Sequence, residues 1–582
     1  MRFFLILNRD GEIRLSPFAE ADSPSEQGLV LSQPFPLGFL RDVLKSLGPG
    51  SPHGIDRETL GRDILRAVRA GSEREAAAGT RGELLPEWGP AACPPKDADE
   101  ESYRDFCQRV SGRQLLGGDL NRVAREMAVS PEQVWRWADR RVRKSLAGWF
   151  PAVSRREGKW LCRRCGEEAK EWPGQYGPAA TCPECAALGA ATSLEVLYRD
   201  YGSLSGNAPA NCDFAPRWPL TAAQSAAAEE VLRFVERDGE KEALVWAACG
   251  AGKTEMCFPA VAWALSRTIP VLFAAPRQDV VHDVAPRLRR DFPGLPVQVL
   301  SGSVSRHYEP GVLVLATTHQ ILRFYRAFGL VFLDEMDAFP YAGNRMLAWG
   351  VRQAMRPEGK LLWLSATPSR DVLAGAKKGS IPLIRLPARH HGQPLPVPHW
   401  ERLSLDGRGG CPATLCEKLR DLARLGPVLV FVPKISWVAA VLAAIRRCLP
   451  DLAGEGSYSA DPRRREKIEG LRQGRYRFFV TTSILERGVT LPGVQVAVLA
   501  ADHPVFDERA LVQMAGRAGR TKDCPDGQVV FFAERETACL KKARRWIEEQ
   551  NRFAREEGLL ASPTQSAGEL NSSGQTSASP RR

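Results

Sequence analysis

A short apolar run that leads into a glycine-rich turn is the feature of this sequence that most restricts its fold. Residues Ala243 to Trp246 are predicted to form a strand, and the segment AACGAGKT follows directly at 247–254. Glycine accepts the tight backbone of such a turn, and a helix is predicted to begin at Gly252-Lys253-Thr254. A strand, a turn and a helix in this order are typical of a parallel β-sheet covered by helices.

The same alternation of β-rich and helix-like segments continues along the chain. Short β-rich runs are predicted at 243–246, 271–274, 312–315, 330–333 and 361–364, and again at 428–432, 478–481, 496–500 and 528–532. Each series has the pattern of one parallel sheet with helices on its faces. The sequence therefore predicts an α/β fold with two tandem lobes, the second repeating the architecture of the first.

Changes in composition divide the rest of the chain and set the predicted boundaries. The predicted segments are an N-terminal region of unknown role (1–70), a linker (71–102), a helical basic region (103–158), a four-cysteine element (159–200), the first lobe (213–386), a Pro-rich inter-lobe linker (387–400), the second lobe (401–557) and a disordered tail (558–582). The tail is predicted to be disordered because it is rich in Ser, Thr, Gly and Pro and has almost no large apolar side chains to bury.

The charge balance and the apolar runs limit the classes of protein to consider. The chain has 80 Lys and Arg against 68 Asp and Glu, a net charge of +12, which suits an anionic partner such as nucleic acid or an acidic membrane surface. It has no uninterrupted apolar stretch of about 20 residues, the length that crosses a bilayer. We therefore expect a cytosolic protein, whose 14 cysteines are buried thiols or metal ligands rather than disulfides.

A predicted helix that opens at Ser130-Pro131-Glu132 alternates tryptophans with basic residues. Trp135 and Trp137 are interleaved with arginines and a lysine up to Lys144. The pattern fits either a solvated helix face with two core tryptophans or a nucleic-acid surface. We favour the first interpretation.

The glycine-rich turn and an acidic segment downstream predict a site for ATP and Mg²⁺. Backbone N–H groups at Gly250 and Gly252 would face phosphate oxygens, Lys253 would pair with the β and γ phosphates, and Thr254 would bind Mg²⁺. Asp334 follows the apolar run 330–333, at the carboxyl end of a predicted buried strand. Asp334 is predicted to hold Mg²⁺, and Glu335 to orient or deprotonate the attacking water.

The segment QMAGRAGR at 513–520 completes the set of motifs. Arg517 and Arg520 belong to the second lobe, so they can reach the γ phosphate only when the lobes close, which would tie hydrolysis to movement. Gln513, which opens the segment, is assigned to the nucleotide site as well. Together with the turn and the acidic segment, the arginines predict a nucleic-acid motor that hydrolyses ATP.

Four cysteines before the first lobe predict a structural zinc site. Cys162 and Cys165 form one pair, Cys182 and Cys185 form the other, and sixteen residues separate the pairs. Four thiolates fill a tetrahedral zinc ion completely and leave no open coordination position. Basic and aromatic neighbours suit a DNA-contacting ribbon or serve only to keep a small element soluble; these are Arg155, Arg156, Lys159, Trp160, Arg163 and Arg164.

These motifs resemble those of superfamily 2 helicases, and finer details resemble the ComFA-type late-competence DNA helicases. The details are LVFLDEMDAFP at 330–340, APR at 275–277, PARHHGQPLPVP at 387–398, TTSILERGVT at 481–490, and the four-cysteine element ahead of the first lobe. The resemblance covers roughly residues 159–532. It implies two RecA-like lobes preceded by a zinc-binding element and an N-terminal region.

The resemblance also implies roles for residues that the motifs alone do not assign. Gln224 would read the adenine base, and Ser365 and Thr367 would couple Asp337 to the nucleic-acid surface. The positions that would touch the nucleic-acid backbone or relay lobe closure are Arg277, Thr318, His319, Thr482 and Arg487. For Thr318, His319 and Thr482 a plain loop role stays open.

By the same resemblance, the protein would pull single-stranded DNA through a membrane channel during transformation, working with competence-machinery proteins in the cytoplasm or at the inner face of the cell membrane. Whether it forms an oligomer stays open. Two alternatives are retained. One is a primosomal-type replication-restart helicase, a class whose metal-binding cysteines are inserted within the second lobe. The other is a zinc-containing nucleic-acid-binding adaptor with an ATP-controlled switch, which would need neither Glu335 nor the distal arginines.

Overall fold

The computed structural model describes residues 3–7, 13–18, 29–30, 37–46, 100–174, 177–204, 214–302, 308–405, 412–486, 491–520 and 527–560. Most of the predicted linker at 71–102 and of the predicted tail at 558–582 lies outside these residues, and so does Arg487. In the part of the chain that is described, no helix is both long enough and apolar enough to span a membrane.

The chain before the first lobe forms small antiparallel sheets with helices packed against them. Its elements are β1 (Phe4–Leu7), β2 (Ile13–Ser16), β3 (Leu29–Val30), α1 (Leu37–Ser46), α2 (Glu100–Val110), β4 (Gln114–Leu116), α3 (Gly117–Glu126), α4 (Pro131–Arg143), β5 (Ala147–Pro151), β6 (Val153–Arg156), β7 (Lys159–Cys162), β8 (Lys170–Gly174), β9 (Gly177–Cys182), β10 (Ala191–Thr192) and β11 (Val196–Asp200). Helix α2 begins at Glu100, inside the predicted linker, because Glu100 and Glu101 supply the acidic first turn that favours a helix start.

The strand pairing joins the predicted basic region and the predicted cysteine element into one unit. Strand β11 pairs with β4 and β5, in the sheet order β4-β11-β5, so the cysteine element is an insertion between neighbouring strands. The predicted boundary between residues 158 and 159 therefore falls inside one structural unit. Region 103–158 is also not helical throughout, since its last part forms β5 and β6.

The tryptophans of α4 lie in the core of this unit. Trp135 stacks on Trp149 of β5 with ring centroids 5.3 Å apart, and Trp137 packs on Phe106 at 5.6 Å. Trp135 and Trp137 are both buried. The structure thus agrees with core tryptophans rather than a nucleic-acid surface on this helix.

The first lobe is a seven-stranded parallel sheet in the order β14-β15-β13-β16-β17-β12-β18. Its strands are β12 (Glu242–Ala247), β13 (Val271–Ala275), β14 (Val297–Leu300), β15 (Leu313–Thr317), β16 (Phe328–Asp334), β17 (Met355–Ser365) and β18 (Leu383–Leu386). Its helices are α5 (Ala222–Glu236), α6 (Phe258–Ser266), α7 (Gln278–Asp291), α8 (Arg345–Ala354) and α9 (Arg370–Lys377). Strands β13, β15 and β16 consist almost entirely of apolar residues because helices cover both faces of the sheet.

The second lobe is a six-stranded parallel sheet in the order β19-β24-β23-β20-β22-β21. Its strands are β19 (His399–Arg402), β20 (Val428–Phe431), β21 (Gly454–Ser457), β22 (Phe478–Thr481), β23 (Gln495–Val498) and β24 (Val529–Ala533). Its helices are α10 (Ala413–Leu425), α11 (Ile435–Cys448), α12 (Arg464–Arg472), α13 (Glu508–Ala515) and α14 (Ala538–Glu556). The predicted α/β class with two tandem parallel-sheet lobes is confirmed.

Two connections hold the lobes against each other. The predicted inter-lobe linker ends inside β19, where His399 and Trp400 pair with strand β24 of the second lobe. Helix α14 returns to the first lobe, where Trp546 packs edge-on against Trp246 with ring centroids 5.8 Å apart. The carboxyl ends of the first-lobe strands therefore face the second lobe across a packed interface.

Candidate functional site

The glycine-rich turn lies at the carboxyl end of β12, as predicted, but the helix after it starts later. Gly250 and Gly252 have φ angles of +80° and +78°, which glycine adopts without strain. A 3₁₀ turn spans Glu255–Cys257, and α6 begins at Phe258. A helical segment therefore begins directly after Thr254, close to the predicted start, but its first turn is 3₁₀ and the regular α-helix begins only at Phe258. Pro259 has no N–H to donate to the carbonyl of Glu255, so one i→i−4 hydrogen bond is missing where the 3₁₀ turn passes into α6.

The lysine of the turn forms an ion pair with the first acidic residue. Lys253 Nζ lies 2.9 Å from Asp334 Oδ1 at the carboxyl end of β16. Burial raises the pKa of the Asp334 carboxyl, and the charge of Lys253 opposes that rise. The ion pair with Lys253 thus offsets part of the cost of burying the charged Asp334 carboxylate.

Glu335 stands next to this pair in a strained conformation. Its φ is +53°, in the left-handed region that non-glycine residues rarely adopt. Its N–H donates to Asp334 Oδ1 at 2.8 Å, and its buried Oε2 has no hydrogen-bond partner among the described residues. The strained backbone and the unpaired buried carboxylate oxygen of Glu335 both lower the stability of the folded protein.

These residues line a cavity of about 1010 Å³ between the two lobes. The structure brings every residue of the predicted ATP site to the wall of this one cavity: Gln224, Gly250, Gly252, Lys253, Thr254, Asp334, Glu335, Gln513, Arg517 and Arg520. The donors suit a magnesium ion, since the Thr254 hydroxyl and the Asp334 carboxylate are hard oxygen ligands.

Gln224 is tied to the backbone of the turn. Its backbone N–H and Oε1 form a reciprocal cap with Thr221 at the start of α5. Its Nε2 donates to the carbonyl oxygen of Ala251 at 2.8 Å. A Cβ at Gly252 would collide with this amide, so the glycine allows Gln224 to approach.

The two arginines lie in the turn that follows α13, directly across the cavity. Arg517 Nε donates to the carbonyl oxygen of Glu486 at 2.9 Å, and Arg520 Nε donates to that of Gly516 at 2.8 Å. Burial lowers the pKa of Arg517 well below its ordinary range, and the carboxylate of Glu335 acts against this. Arg517 and Glu335 are thus within electrostatic reach across the lobe interface.

A chain of hydrogen bonds runs from the acidic segment to the second lobe. Asp337 accepts from Ser365 Oγ at 2.5 Å and from Thr367 Oγ1 at 2.6 Å. Thr367 Oγ1 in turn accepts from Gln513 Nε2 at 2.9 Å, and Gln513 Oε1 accepts from Cys249 Sγ at 3.5 Å. These hydrogen bonds join three segments of the first lobe to the second-lobe segment 513–520, which carries Arg517 and Arg520.

The predicted nucleic-acid positions differ in their surroundings. Arg277 NH2 lies 3.3 Å from Glu486 Oε1 of the second lobe. Thr318 is fully buried and its N–H donates to the Ala275 carbonyl, which favours the plain loop role for this residue. His319 and Thr482 are partly exposed, each at the start of a 3₁₀ turn.

Sequence reasoning missed Arg389 of the inter-lobe linker. Its buried guanidinium donates to four main-chain carbonyl oxygens, those of Cys249 at 3.0 Å, Gly516 at 3.1 Å, Ala518 at 2.8 Å and Gly519. Burial lowers its pKa to about 9. The only signal was an arginine in the segment PARHHG, and its burial between the lobes could not be read from the sequence.

The four predicted zinc ligands converge in the element between β5 and β11. All four cysteines are buried and their Sγ atoms lie within 4.8 Å of one another, with Cys162 and Cys185 at 3.7 Å and Cys165 and Cys182 at 3.5 Å. Four thiolates about 2.3 Å from one zinc ion would be about 3.8 Å apart, so this arrangement fits the metal. The buried Arg164 donates from Nε to Cys185 Sγ at 3.3 Å and adds a positive charge beside the thiolates.

Most of the basic residues that suggested a DNA-contacting ribbon serve the element itself. Arg155 is paired with Glu171 at 2.7 Å and Lys159 with Glu168 at 3.6 Å. Arg164 donates to the carbonyl oxygens of Cys185, Leu188 and Gly189. Among the described residues, Arg156, Arg163 and Arg164 of that basic set form no ion pair with a carboxylate.

Comparison with known families and proteins gives consistent matches. Residues 217–370 match the family "Type III restriction enzyme, res subunit", and residues 412–522 match "Helicase conserved C-terminal domain". The chain is 34% identical over 416 residues to competence protein ComFA of Bacillus subtilis (strain 168), covering 69% of this chain and 88% of that protein. It is also 34% identical over 423 residues to competence protein ComFA of Streptococcus pneumoniae (strain ATCC BAA-255 / R6), covering 71% and 95%.

Among solved structures, the chain is similar to a Mycobacterium smegmatis helicase Lhr bound to ssDNA and AMP-PNP, with a TM-score of 0.45 and 20% identity over 58% of this chain and 51% of that one. It is also similar to Saccharomyces cerevisiae Dbp5 bound to RNA and ADP BeF3, with a TM-score of 0.42 and 16% identity over 57% and 91%.

Proposed function

The chain belongs to the ComFA family of superfamily 2 helicases, and from this premise we propose that it is an ATP-driven translocase on single-stranded DNA that acts in DNA uptake during natural transformation. That the chain is an ATP hydrolase of the helicase class follows from its two helicase domains and from its relatives. The preference for single strands, the role in uptake and the partners at a membrane DNA channel are the proposed part.

The observation that carries the proposal is the division of one cavity between two lobes. Lys253, Asp334 and Glu335 approach it from the first lobe, and Arg517 and Arg520 from the second. A site that is complete only when two bodies meet converts nucleotide turnover into relative movement. This is what a translocase requires and what a static binding protein does not need.

Each side chain of the cavity has a role that its position supports. Lys253 would exchange Asp334 for phosphate oxygens when ATP enters. Thr254 and Asp334 would hold Mg²⁺, which when bound supplies charge neutralisation at the phosphates. Glu335 would orient the attacking water and accept its proton, since its Oε2 is buried and unpaired. Arg517 and Arg520 would stabilise the negative charge that develops on the transferring phosphoryl group.

The link to DNA would run through Arg277. In this structure its guanidinium is paired with Glu486, whose own carbonyl accepts from Arg517. A DNA phosphate would compete with the Glu486 carboxylate for Arg277. Loss of this ion pair would let the main chain at Glu486, whose carbonyl holds Arg517, change position. Binding of DNA would thus change the position of an arginine in the nucleotide cavity.

The cysteine element would hold one zinc ion in a structural role through Cys162, Cys165, Cys182 and Cys185. Its position before the first lobe argues against the primosomal-type helicase, in which the cysteines lie within the second lobe. The strained Glu335 and the arginines across the cavity argue against an adaptor that only switches on ATP.

The test is steady-state ATP hydrolysis by the full chain with no nucleic acid, with single-stranded DNA, with duplex DNA and with RNA. We expect the largest stimulation with single-stranded DNA. Glu335→Gln should lower kcat about 100-fold or more by removing the base, while Lys377→Ala, an exposed lysine on α9, serves as a control for general charge loss. Absence of any stimulation by single-stranded DNA would rule out the proposal.

A further inference from the structure

A cluster of arginines without carboxylate partners lies at the seam between the N-terminal unit and the first lobe. The guanidinium carbons of Arg41, Arg163 and Arg199 lie 5.0, 5.3 and 5.5 Å from the centroid of a single ring, that of Phe150. Arg326 extends this set to the first lobe and Arg156 extends it along β6. We call these five residues the arginine cluster.

The hydrogen bonds of the cluster go to neutral acceptors. Arg199 Nε donates to Gln114 Oε1 at 3.2 Å, Arg163 Nε donates to Ser154 Oγ at 3.0 Å, and Arg41 donates to the Trp149 carbonyl. Among the described residues, no carboxylate forms an ion pair with any of the five guanidinium groups.

Like charges held this close raise the free energy of the folded protein unless something neutralises them. The guanidinium carbons of Arg41, Arg163 and Arg199 all lie within 5.5 Å of the centroid of the Phe150 ring, so their three positive charges are close together. Arg199 is nearly buried, so water screens it poorly. Buried charges are normally paired, and a set that is not paired internally is suited to an anion from outside the chain.

Aromatic rings beside the arginine cluster indicate which class of anion it would bind. Tyr325 lies under Arg199 at 4.3 Å and under Arg326 at 5.3 Å. Tyr201 is 46% exposed and its ring centroid lies 6.1 Å from that of Tyr325. Guanidinium groups that can meet phosphates, next to an exposed ring such as that of Tyr201 on which a base can stack, are the combination by which proteins bind single-stranded nucleic acid.

The cluster is separate from the nucleotide site. Tyr325 and Arg326 precede β16, whereas Asp334 ends it. Strands rise about 3.3 Å per residue, so the two ends of β16 are about 20 Å apart. The predicted nucleic-acid positions Arg277 and His319 follow the carboxyl ends of β13 and β15. The cluster lies instead near the amino end of β16, at the opposite end of the strands.

We propose that the arginine cluster, with Tyr201 and Tyr325, is a second binding site for single-stranded nucleic acid, which holds the strand apart from the positions that couple it to ATP hydrolysis. The proposal rests on the proposed function for the identity of the ligand. It goes beyond that function because the helicase motifs assign nothing to these residues. The site would keep hold of the strand while the lobes open and close.

The test is the salt dependence of binding of a fluorescein-labelled oligo-dT to the full chain, measured by anisotropy. Arg156→Gln with Arg326→Gln removes two exposed charges of the cluster, and we expect the slope of log K against log salt to fall by about 1.4, or about 0.7 for each lost phosphate contact. The matched control is Arg155→Gln. Arg155 neighbours Arg156 in β6 but is already paired with Glu171, so the slope should not change.

A second pair of variants tests stacking. Tyr201→Ala should weaken oligo-dT binding about ten- to a hundredfold, and Tyr201→Phe, which keeps the exposed ring, should bind like the wild type. ATP hydrolysis without DNA should be the same in all of these proteins, because the cluster is remote from the cavity. Thermal unfolding of each variant verifies that it is folded.

The outcomes separate this proposal from the function itself. If the oligonucleotide stimulates the wild-type ATPase but the double arginine variant keeps the wild-type slope, the second site is overturned and the proposed function stands. If the variants lose binding to phosphatidylglycerol vesicles and not to oligo-dT, the cluster is a lipid site and the proposal is overturned. If the wild-type chain neither binds oligo-dT nor responds to it, both proposals fail.

Discussion

The guanidinium group of Arg389 donates a hydrogen bond from Nε to the main-chain carbonyl oxygen of Cys249, at 3.0 Å. Cys249 belongs to the glycine-rich turn of the first lobe. The other nitrogens of the same side chain donate to carbonyl oxygens at 516–519, in the turn that carries Arg517 and Arg520. One residue of the linker therefore fixes the distance between the two halves of the nucleotide site.

We predict that Arg389→Lys lowers kcat about 100-fold, because a misplacement of about 1 Å between reacting groups has an effect of that size. KM for ATP should change little, since Gln224 and Lys253 are untouched. Lysine keeps the charge but cannot present the fork of N–H donors that spans the two turns. Steady-state kinetics and thermal unfolding check this prediction.

Chemical rescue distinguishes positioning from a merely structural role. Added guanidinium ion should restore part of kcat to Arg389→Ala, provided that the variant is folded. A variant whose KM rises while its kcat is unchanged would contradict the positioning role.

The nucleotide site could be predicted because its chemistry is encoded in short, continuous segments. Each of three motifs can be recognised from consecutive residues: the turn at 247–254, the acidic pair Asp334 and Glu335, and the segment 513–520. The first two of these segments meet because parallel strands bring their carboxyl ends to one side of the sheet. The segment 513–520 follows a helix of the second lobe and reaches the cavity because the two lobes face each other. The cysteine pairs are predictable for the same reason, since spacing alone sets the ligand geometry.

What could not be predicted depends on burial or on pairing between distant segments. Arg389 gains its importance from four carbonyls that the fold brings around it. Strand β21 has the sequence GEGS and lacks the β-branched residues that mark a strand, yet it pairs with β22 at the edge of its sheet. The late start of α6 is different, because Pro259 was visible in the sequence and proline favours the first turn of an α-helix.

We predict that Thr367→Val weakens the coupling between DNA binding and hydrolysis. Its hydroxyl donates to Asp337 and accepts from Gln513, so valine breaks the hydrogen-bond chain at its centre. DNA stimulation of ATP hydrolysis should fall about tenfold, the equivalent of one lost charge-assisted hydrogen bond. Thr481→Val, another buried threonine whose hydroxyl donates to the Ser457 carbonyl, should lose stability without losing stimulation. If DNA stimulated ATP hydrolysis by Thr367→Val as strongly as by Thr481→Val and the wild type, the hydrogen bonds of Thr367 would play no part in the coupling.

A pH effect should arise at His391. Burial lowers its pKa to about 4, with Arg389 and His390 adding to the effect. Its Nε2–H donates to the Gly519 carbonyl at 3.1 Å and its Nδ1 accepts from the Gln393 N–H at 3.1 Å, which only the neutral ring can do.

The direction of the pH effect on stability depends on when His391 takes up a proton in the unfolded and in the folded chain. Below its ordinary pKa of 6.5 the unfolded chain takes up a proton that the folded chain refuses until about pH 4. The contribution of His391 to stability is therefore complete above pH 6.5 and is lost as the pH falls towards 4. Urea unfolding at several pH values should show a smaller decline in His391→Leu than in the wild type. The same decline in both proteins would contradict the assignment.

Zinc binding by the four cysteines should stabilise the part of the chain around them. Atomic absorption should find one zinc ion per chain, and Cys182→Ser should lower that content because one of four thiolates is lost. The same change should destabilise the unit built on β4, β5 and β11, since β11 follows the cysteine element directly and the metal fixes the path of the chain into it. Limited proteolysis should then cut within residues 153–195 before it cuts the lobes. Hydrolysis of ATP without DNA should persist, because all residues that line the cavity belong to the stretch from Phe214 onwards. If Cys182→Ser bound zinc as tightly as the wild type and resisted protease equally, the four-thiolate site would be excluded.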